Sequence, residues 1–205
     1  MSSPPPPPYT PTERTRVRRL SQRGTYDRGV VHAILDEALV CHLGFVREGQ
    51  PFVIPTVHVR VDECLYVHGA RANAALTAIA SGEPVCITVT LLDGLVLARS
   101  AFHHSMNYRS VVVLGVAREI HEETAKRQVL DALVERVGSG RAAKVRAASP
   151  AELRATRLFG LDLAEVSAKV RSGPPSDDAE DLILPCWAGV IPLALTRGEP
   201  IRHQP

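Results

Sequence analysis

Apolar residues recur along this chain with two different periods. Val30, Val31, Ile34, Leu35, Ala38 and Leu39 share one face at helical spacing, with His32, Asp36 and Glu37 opposite. The pattern then tightens to strand-like runs at Val40–Val46, Phe52–Arg60 and Cys64–His68, separated by turn residues at Arg47–Pro51 and Asp62–Glu63. Connections this short make the strands an antiparallel meander, because parallel neighbours need a long crossover. Gly69-Ala70-Arg71 is predicted to end the third strand. Ala72–Ala80 reads as an Ala-rich helix stopped by Ser81-Gly82-Glu83-Pro84. A strand over Val85–Leu92, a turn at Asp93-Gly94 and an extended stretch over Leu95–Ser100 follow. Tyr108–Ile120 is a long strand with Gly115 as a bulge or bend.

The second half begins with the clearest amphipathic helix, Glu122–Val137, with two glutamates at its favourable end. Ser149-Pro150-Ala151-Glu152 has the form of a capping box with proline in the first turn, opening a helix toward Arg157. Leu158–Val166 reads as a strand, Arg171–Asp181 as a loop, and Leu182–Ile191 as an extended segment containing Trp187. About seven strands grouped in meanders point to a mainly β (α+β) antiparallel barrel with helices packed outside, not to a doubly wound sheet.

Length and charge narrow the function. The 205 residues suit one domain with tails: a Pro-rich, disordered or extended segment over 1–13, a folded body over 14–195 and a short tail over 196–205. The net charge of +2 is too balanced for a protein that coats nucleic acid, and 4% aromatic residues are few for base stacking. A basic arm (Arg14, Arg16, Arg18, Arg19, Arg23) is a solvated segment or one that wraps a partner subunit or reaches a phosphate. No apolar run approaches membrane-spanning length, and the start lacks a signal-peptide pattern, so the expectation is cytoplasmic. Cys41, Cys64, Cys86 and Cys186 are widely spaced among apolar residues, as buried reduced thiols would be.

Few chemical motifs survive inspection. Gly138-Ser139-Gly140-Arg141-Ala142-Ala143 spells a dinucleotide loop, but it follows a helix where that motif requires a strand. No phosphate-loop or nucleophile-elbow pattern occurs. His103 and His104 are neighbours on extended chain and point apart, a poor metal pair. His68 stands where a strand opens into a loop and helix, as a core-edge histidine or as a group facing a ligand near the start of that helix. Ala98–Ser110 is dense in donors and leads into a hydrophobic strand, with Arg109 and Ser110 placed to meet a phosphate.

The run from Leu91 through Ser105-Met106-Asn107-Tyr108-Arg109-Ser110 to Val113 resembles the flavin-nucleotide-binding branch of the pyridoxamine 5'-phosphate oxidase-like split-barrel family, relatives of the nitroimidazole-resistance proteins. Further matches are Arg23-Gly24-Thr25-Tyr26-Asp27, Gly49–Thr56, Leu65–Gly69, Ser167–Pro175 and Trp187–Pro192, so the resemblance runs from about Arg14 to Leu193. It implies a six-stranded split barrel with flanking helices, a homodimer, and FMN in two equivalent clefts at the subunit interface. Carried over, the flavin contacts are Val53, Ile54, Pro55 and Thr56; Val67 and His68 with Arg71 and Asn73; Arg109 and Ser110; and Lys169, Arg171 and Trp187 as residues that close the cleft from the partner subunit. Where relatives often have a serine and a basic residue early in the helix after His68-Gly69, this chain has Ala72-Asn73-Ala74, with Arg71 as the local base.

The expected function is that of an FMN-dependent oxidoreductase acting on a small molecule, with His68 as proton donor. The alternative is a non-enzymatic module that holds flavin, or haem through His68, for storage, sensing or detoxification.

Overall fold

The computed structural model describes residues 6–203. Among these are ten strands and four α-helices, so the antiparallel split barrel with flanking helices is the fold observed. Two compact units are present: one from residues up to Leu91 together with Ser110–Lys169, the other from Leu92–Arg109 together with the chain from Val170 on.

Helix α1 (Arg28–Glu37) begins where the Asp27 carboxylate accepts the Val30 N–H at 2.9 Å, and it buries Val31, Ile34 and Leu35. Strands β2 (Val40–Arg47) and β3 (Gln50–Val61) form a hairpin with Arg47 opposite Gln50. Its two loop residues, Glu48 and Gly49, both take positive φ (53° and 77°), the geometry that matches strand twist. Strand β4 (Cys64–Ala70) follows the turn at Asp62-Glu63. It continues through Gly69 and Ala70, where the sequence predicted a break, because both residues still pair with the later strand β8 (Thr156–Asp162). Helix α2 is shorter than expected (Ala74–Ile79), since Asn73 serves as its cap.

Asp93-Gly94 is not a turn: β5 runs unbroken from Pro84 to Leu97. Gly94 permits close approach of another strand, since a Cβ there would lie 2.8 Å from Val190 Cγ1 and 3.1 Å from the Ile191 carbonyl. Val190 and Ile191 belong to β10 (Gly189–Pro192), the strand that pairs with this end of β5. It is the only strand in the stretch predicted as extended over Leu182–Ile191, which also contains a 3-10 turn that starts earlier, at Ala179–Ile183. Strand β6 covers Ser105–Val116, and Arg118–Glu119 form the short β7.

Helix α3 (Glu123–Val137) packs Val129, Ala132 and Leu133 against Val59, Tyr66 and Leu158. The capping box at Ser149 and Glu152 is present in both directions and opens α4 (Pro150–Ala155). The single strand predicted over Leu158–Val166 is instead β8 and β9 (Glu165–Arg171), joined by a tight turn whose Leu163 N–H donates to the Glu63 carbonyl of the β3–β4 turn at 2.9 Å. A two-residue β1 (Gly24–Thr25) pairs with Lys169 and Ala168 of β9. The sheet order is β1-β9-β6-β5-β2-β3-β4-β8-β7.

Residues 1–5 lie outside the described residues, but 6–13 are anchored: Tyr9 is 4% exposed, and its N–H donates to the Tyr26 carbonyl at 2.9 Å.

Candidate functional site

Strand registers define an opening in the first unit. Strand β3 pairs with β2 along its length, from Gln50 opposite Arg47 to Val57 opposite Val40. With β4 it pairs only from Val61 opposite Cys64 to His58 opposite Val67. Beyond that point β4 stays with β8, His68 facing Leu158 and Ala70 facing Thr156. The two strands therefore part between Val57 and His68. Along the parted stretch, one side of β3 and one side of β4 carry main-chain donors and acceptors outside the ladder. Pro51 and Pro55 fall in this part of β3, where a residue without an N–H is tolerated.

The resemblance-derived residues Val53–Thr56, Val67 and His68 flank this opening. Val53 is 68% exposed, large for an apolar strand residue, while Ile54 and Thr56 are half-buried. Val67 is buried and His68 half-buried. Burial holds the His68 imidazole below its ordinary pKa, so it is neutral at neutral pH, and its Nδ1 is buried with no hydrogen-bond partner. Arg71 is exposed; its N–H is fixed on the Ala155 carbonyl at 3.1 Å, and its guanidinium makes one long contact, 3.4 Å, to the Arg154 carbonyl. Asn73 Oδ1 accepts the Ala75 and Leu76 N–H groups at 2.9 and 3.2 Å. The oxygen of Asn73 is thus engaged in capping α2, and only its NH₂ is left to donate.

The remaining expected contacts lie elsewhere. Ser110 Oγ donates to the Lys169 carbonyl at 3.3 Å, and Lys169 Nζ to the Arg19 carbonyl at 3.1 Å. These two residues sit on β6 and β9, separated from β3 in the sheet order by β5 and β2. Arg109 and Trp187 belong to the second unit. Both carboxylate oxygens of Asp93 accept from Arg109, at 2.9 and 2.7 Å, so that its charge is balanced. Trp187 is 63% exposed, with its ring beside Gly189.

The donor-rich run of the second unit is largely self-satisfied. Arg99 donates to Asp177 through its main chain and guanidinium, both at 2.7 Å, and His103 meets Asp178 at 3.1 Å. His104 Nδ1 lies 2.9 Å from the Ser100 carbonyl. Ser100 Oγ is buried without a partner. Among the described residues, no group of three His, Cys, Asp or Glu side chains is arranged to hold a metal ion. The Gly138–Ala143 loop is also accounted for: Glu135 accepts the Gly140 and Ala142 N–H groups at 2.6 and 2.7 Å, occupying the donors a phosphate would need.

Comparison with known proteins fits this geometry. A family model described as pyridoxamine 5'-phosphate oxidase matches residues 27–170, from the cap of α1 into β9. The chain belongs to the pyridoxamine 5'-phosphate oxidase family. No curated protein matches it. Among solved structures of this fold, it is similar to the flavocytochrome Anf3 from Azotobacter vinelandii: 40% identity, TM-score 0.90, covering 96% of this chain and 91% of that one. It is also similar to an FAD and heme binding protein from Mycobacterium smegmatis: 37% identity, TM-score 0.85, covering 88% and 89%. A 5-nitroimidazole antibiotic resistance protein homologue from Bacteroides thetaiotaomicron, at 22% identity and TM-score 0.61 over 72% of this chain and 86% of that one, shares the fold.

The parting of β3 and β4 was beyond sequence reasoning, because both segments read as uninterrupted strands. Its one visible trace is the proline pair in β3. Among the described residues no helix is long and apolar enough to cross a membrane.

Proposed function

We propose that this chain is a flavin-binding redox protein with the flavin seated where β3 and β4 part, and that it also carries a haem. The observation that carries the reading is His68 at that opening: a neutral imidazole whose buried Nδ1 has no partner. An unmet buried nitrogen costs about 1–3 kcal/mol, so its persistence favours a site that a ligand completes. Two relatives above 35% identity are described as a flavocytochrome and as FAD- and heme-binding, which supports both groups. The second description favours FAD over the FMN expected from the sequence.

The residues present fit these groups. The unpaired main-chain edge of β3 around Ile54–Thr56 offers donors and acceptors to the hydrogen-bonding rim of a flat heterocycle, and exposed Val53 offers it an apolar contact. Arg71, the least engaged cation near the opening, answers a phosphate. Arg109, already neutralised by Asp93, contributes less. His68, neutral without having to lose a proton, presents a nitrogen lone pair to iron. When bound, flavin supplies one- and two-electron transfer and haem supplies one-electron chemistry. On this reading the protein is an oxidoreductase of a small molecule, and four unpaired thiols suit a reducing, cytoplasmic compartment.

We also propose a homodimer. The second unit exposes Phe102 (89%), Ile183 (86%), Trp187 (63%) and Leu182 (59%), more apolar surface than an isolated protein tends to leave open.

The test is an absorption spectrum of the purified protein, followed by acid extraction and chromatography of what is released. A blue flavin band with a Soret band supports the reading, and the extract distinguishes FAD from FMN. A colourless protein that takes up neither flavin nor haemin overturns it.

A further inference from the structure

The basic arm is a built feature, not a loose tail. Thr12 Oγ1 donates to Glu165 at 2.8 Å, and Arg14 pairs with the same carboxylate. Tyr26 OH accepts the Val17 N–H at 2.9 Å and donates to the Thr15 carbonyl at 3.0 Å. Lys169 Nζ holds the Arg19 carbonyl at 3.1 Å, and Gly24 pairs with Lys169 in the β1–β9 ladder. Leu20 adopts a left-handed conformation (φ 55°) at the bend and leaves its side chain 38% exposed. The acids of this neighbourhood are taken, Glu13 by Arg18 and Glu165 by Arg14. Arg16, Arg19 and Arg23 are left on a fixed scaffold with no carboxylate among the described residues, the last two beside Leu20 and β1 in the chain. Like charges held this way repel unless something neutralises them.

The opposite charge stands unpaired on the second unit. Its 3-10 turn Ala179–Ile183 carries Glu180 and Asp181, which meet no cation among the described residues, whereas Asp177 and Asp178 are held by Arg99 and His103. Leu182 and Ile183 follow directly, 59% and 86% exposed.

We infer that Arg19 and Arg23 of one copy pair with Glu180 and Asp181 of a second copy, with Leu20 packing on Leu182 and Ile183. The two patches match in charge and in the exposed leucine each carries. A two-fold axis makes the contact twice, because the same patch pair is presented by both copies. This rests on the homodimer reading above and adds to it the contact that sets register and salt sensitivity. Exposed ion pairs add modestly to affinity and more to orientation and specificity.

The experiment is sedimentation equilibrium of the full chain at low and high salt, for the wild type, R19E/R23E, E180K/D181K, an equimolar mixture of the two variants, and the quadruple variant. Circular dichroism checks that each is folded. Arg19 and Glu180 are exposed, Arg23 and Asp181 half-buried, and none of the four belongs to β3 or β4, so cofactor content should not move. Wild-type dimer should weaken as salt screens the pairs. Each double variant should weaken it about 10- to 100-fold at low salt, since four pairs turn from attractive to repulsive. The mixture should recover most of the loss, because its heterodimer restores opposite charges at both contacts. Dimers unaffected by either double variant overturn the inference and leave the homodimer intact. Rescue by the quadruple variant but not by the mixture also overturns it, placing the pairing within one chain. A wild type that is monomeric at every concentration removes the homodimer reading itself.

Discussion

His58 Nε2 lies 2.9 Å from the Leu35 carbonyl oxygen, deep in the first unit where His58 is fully buried. That oxygen can only accept, so Nε2 carries the proton and Nδ1 is left buried without a partner. Burial is the largest effect on this imidazole and, with the Arg136 guanidinium nearby, brings its pKa from 6.5 down to about 4. Below 6.5 the unfolded chain therefore binds a proton that the folded chain refuses. The stability contributed by neutral His58 is complete above pH 6.5 and is lost as pH falls from 6.5 toward 4. Its full size is on the order of 3 kcal/mol. Urea midpoints measured from pH 7.5 down to 4.5 should fall more steeply for the wild type than for His58→Gln, although the variant is the less stable protein at pH 7.5. Parallel slopes would remove His58 as the source.

Arg136 ties α3 to the end of α1. Its guanidinium donates to the carbonyls of Leu35 at 2.6 Å, Asp36 at 2.8 Å, and Ala38. Those are the acceptors that a helix leaves unmet in its last turn, and a cation there also meets the favourable end of the helix dipole. Arg136→Ala should cost about 2–4 kcal/mol, since three carbonyls, two of them partly buried, lose a charged donor at once. Arg136→Lys should recover only part of this, because one ammonium cannot fork across the carbonyls. Chemical denaturation of the three proteins decides the order.

Tyr9 closes the N-terminal segment onto α1 and the β3–β4 turn. Its hydroxyl donates to Glu63 at 2.6 Å and lies 3.0 Å from His32 Nε2, and the Arg28 guanidinium sits 4.1 Å from its ring centre. Burial and the Glu63 carboxylate push the phenol pKa upward, so it remains a donor across the working pH range. Tyr9→Phe should cost about 1–2 kcal/mol, the price of leaving polar neighbours unmet. Tyr9→Ala should cost about 3–5 kcal/mol by also emptying the ring's site. Limited proteolysis should then cut within residues 6–23 in the Ala variant before the wild type.

Local signals in the sequence carried most of the fold. The Ser149–Glu152 box and the apolar faces of α1 and α3 are decided within a turn or two of chain, and each appears where the pattern put it. Errors came where tertiary contact overrode a local rule. Asp93-Gly94 has turn chemistry, yet Gly94 serves the approach of β10 and Asp93 holds Arg109. The Pro-rich start looked like free chain because a lone tyrosine gives no periodic signal, yet Tyr9 is buried by partners 23 and 54 residues away. The site divides in the same way. Its residue list came from the run of matched motifs, but the opening that Val53–Thr56, Val67 and His68 flank, the parting of β3 from β4, is a property of register that no single strand encodes.

His68 offers the sharpest separation of fold from function. Its imidazole is half-buried, its Nδ1 has no partner, and burial alone lowers its pKa. His58 also leaves its Nδ1 unmet but is tied to Leu35 through Nε2, whereas His68 makes no side-chain hydrogen bond at either nitrogen among the described residues. His68→Ala should therefore change unfolding free energy by no more than about 1 kcal/mol beyond the loss of ring packing, because no hydrogen bond to Nδ1 is broken. On the proposed reading cofactor content should respond strongly: the Soret band should vanish, while the flavin, assigned there to the β3 edge and Arg71, should stay. His68→Met, which keeps bulk and offers sulfur to iron, should restore a shifted Soret band. A His68→Ala protein that keeps an unaltered Soret band would show that the iron is held elsewhere, and one that loses flavin with an intact Soret band would move His68 to the flavin side of the opening.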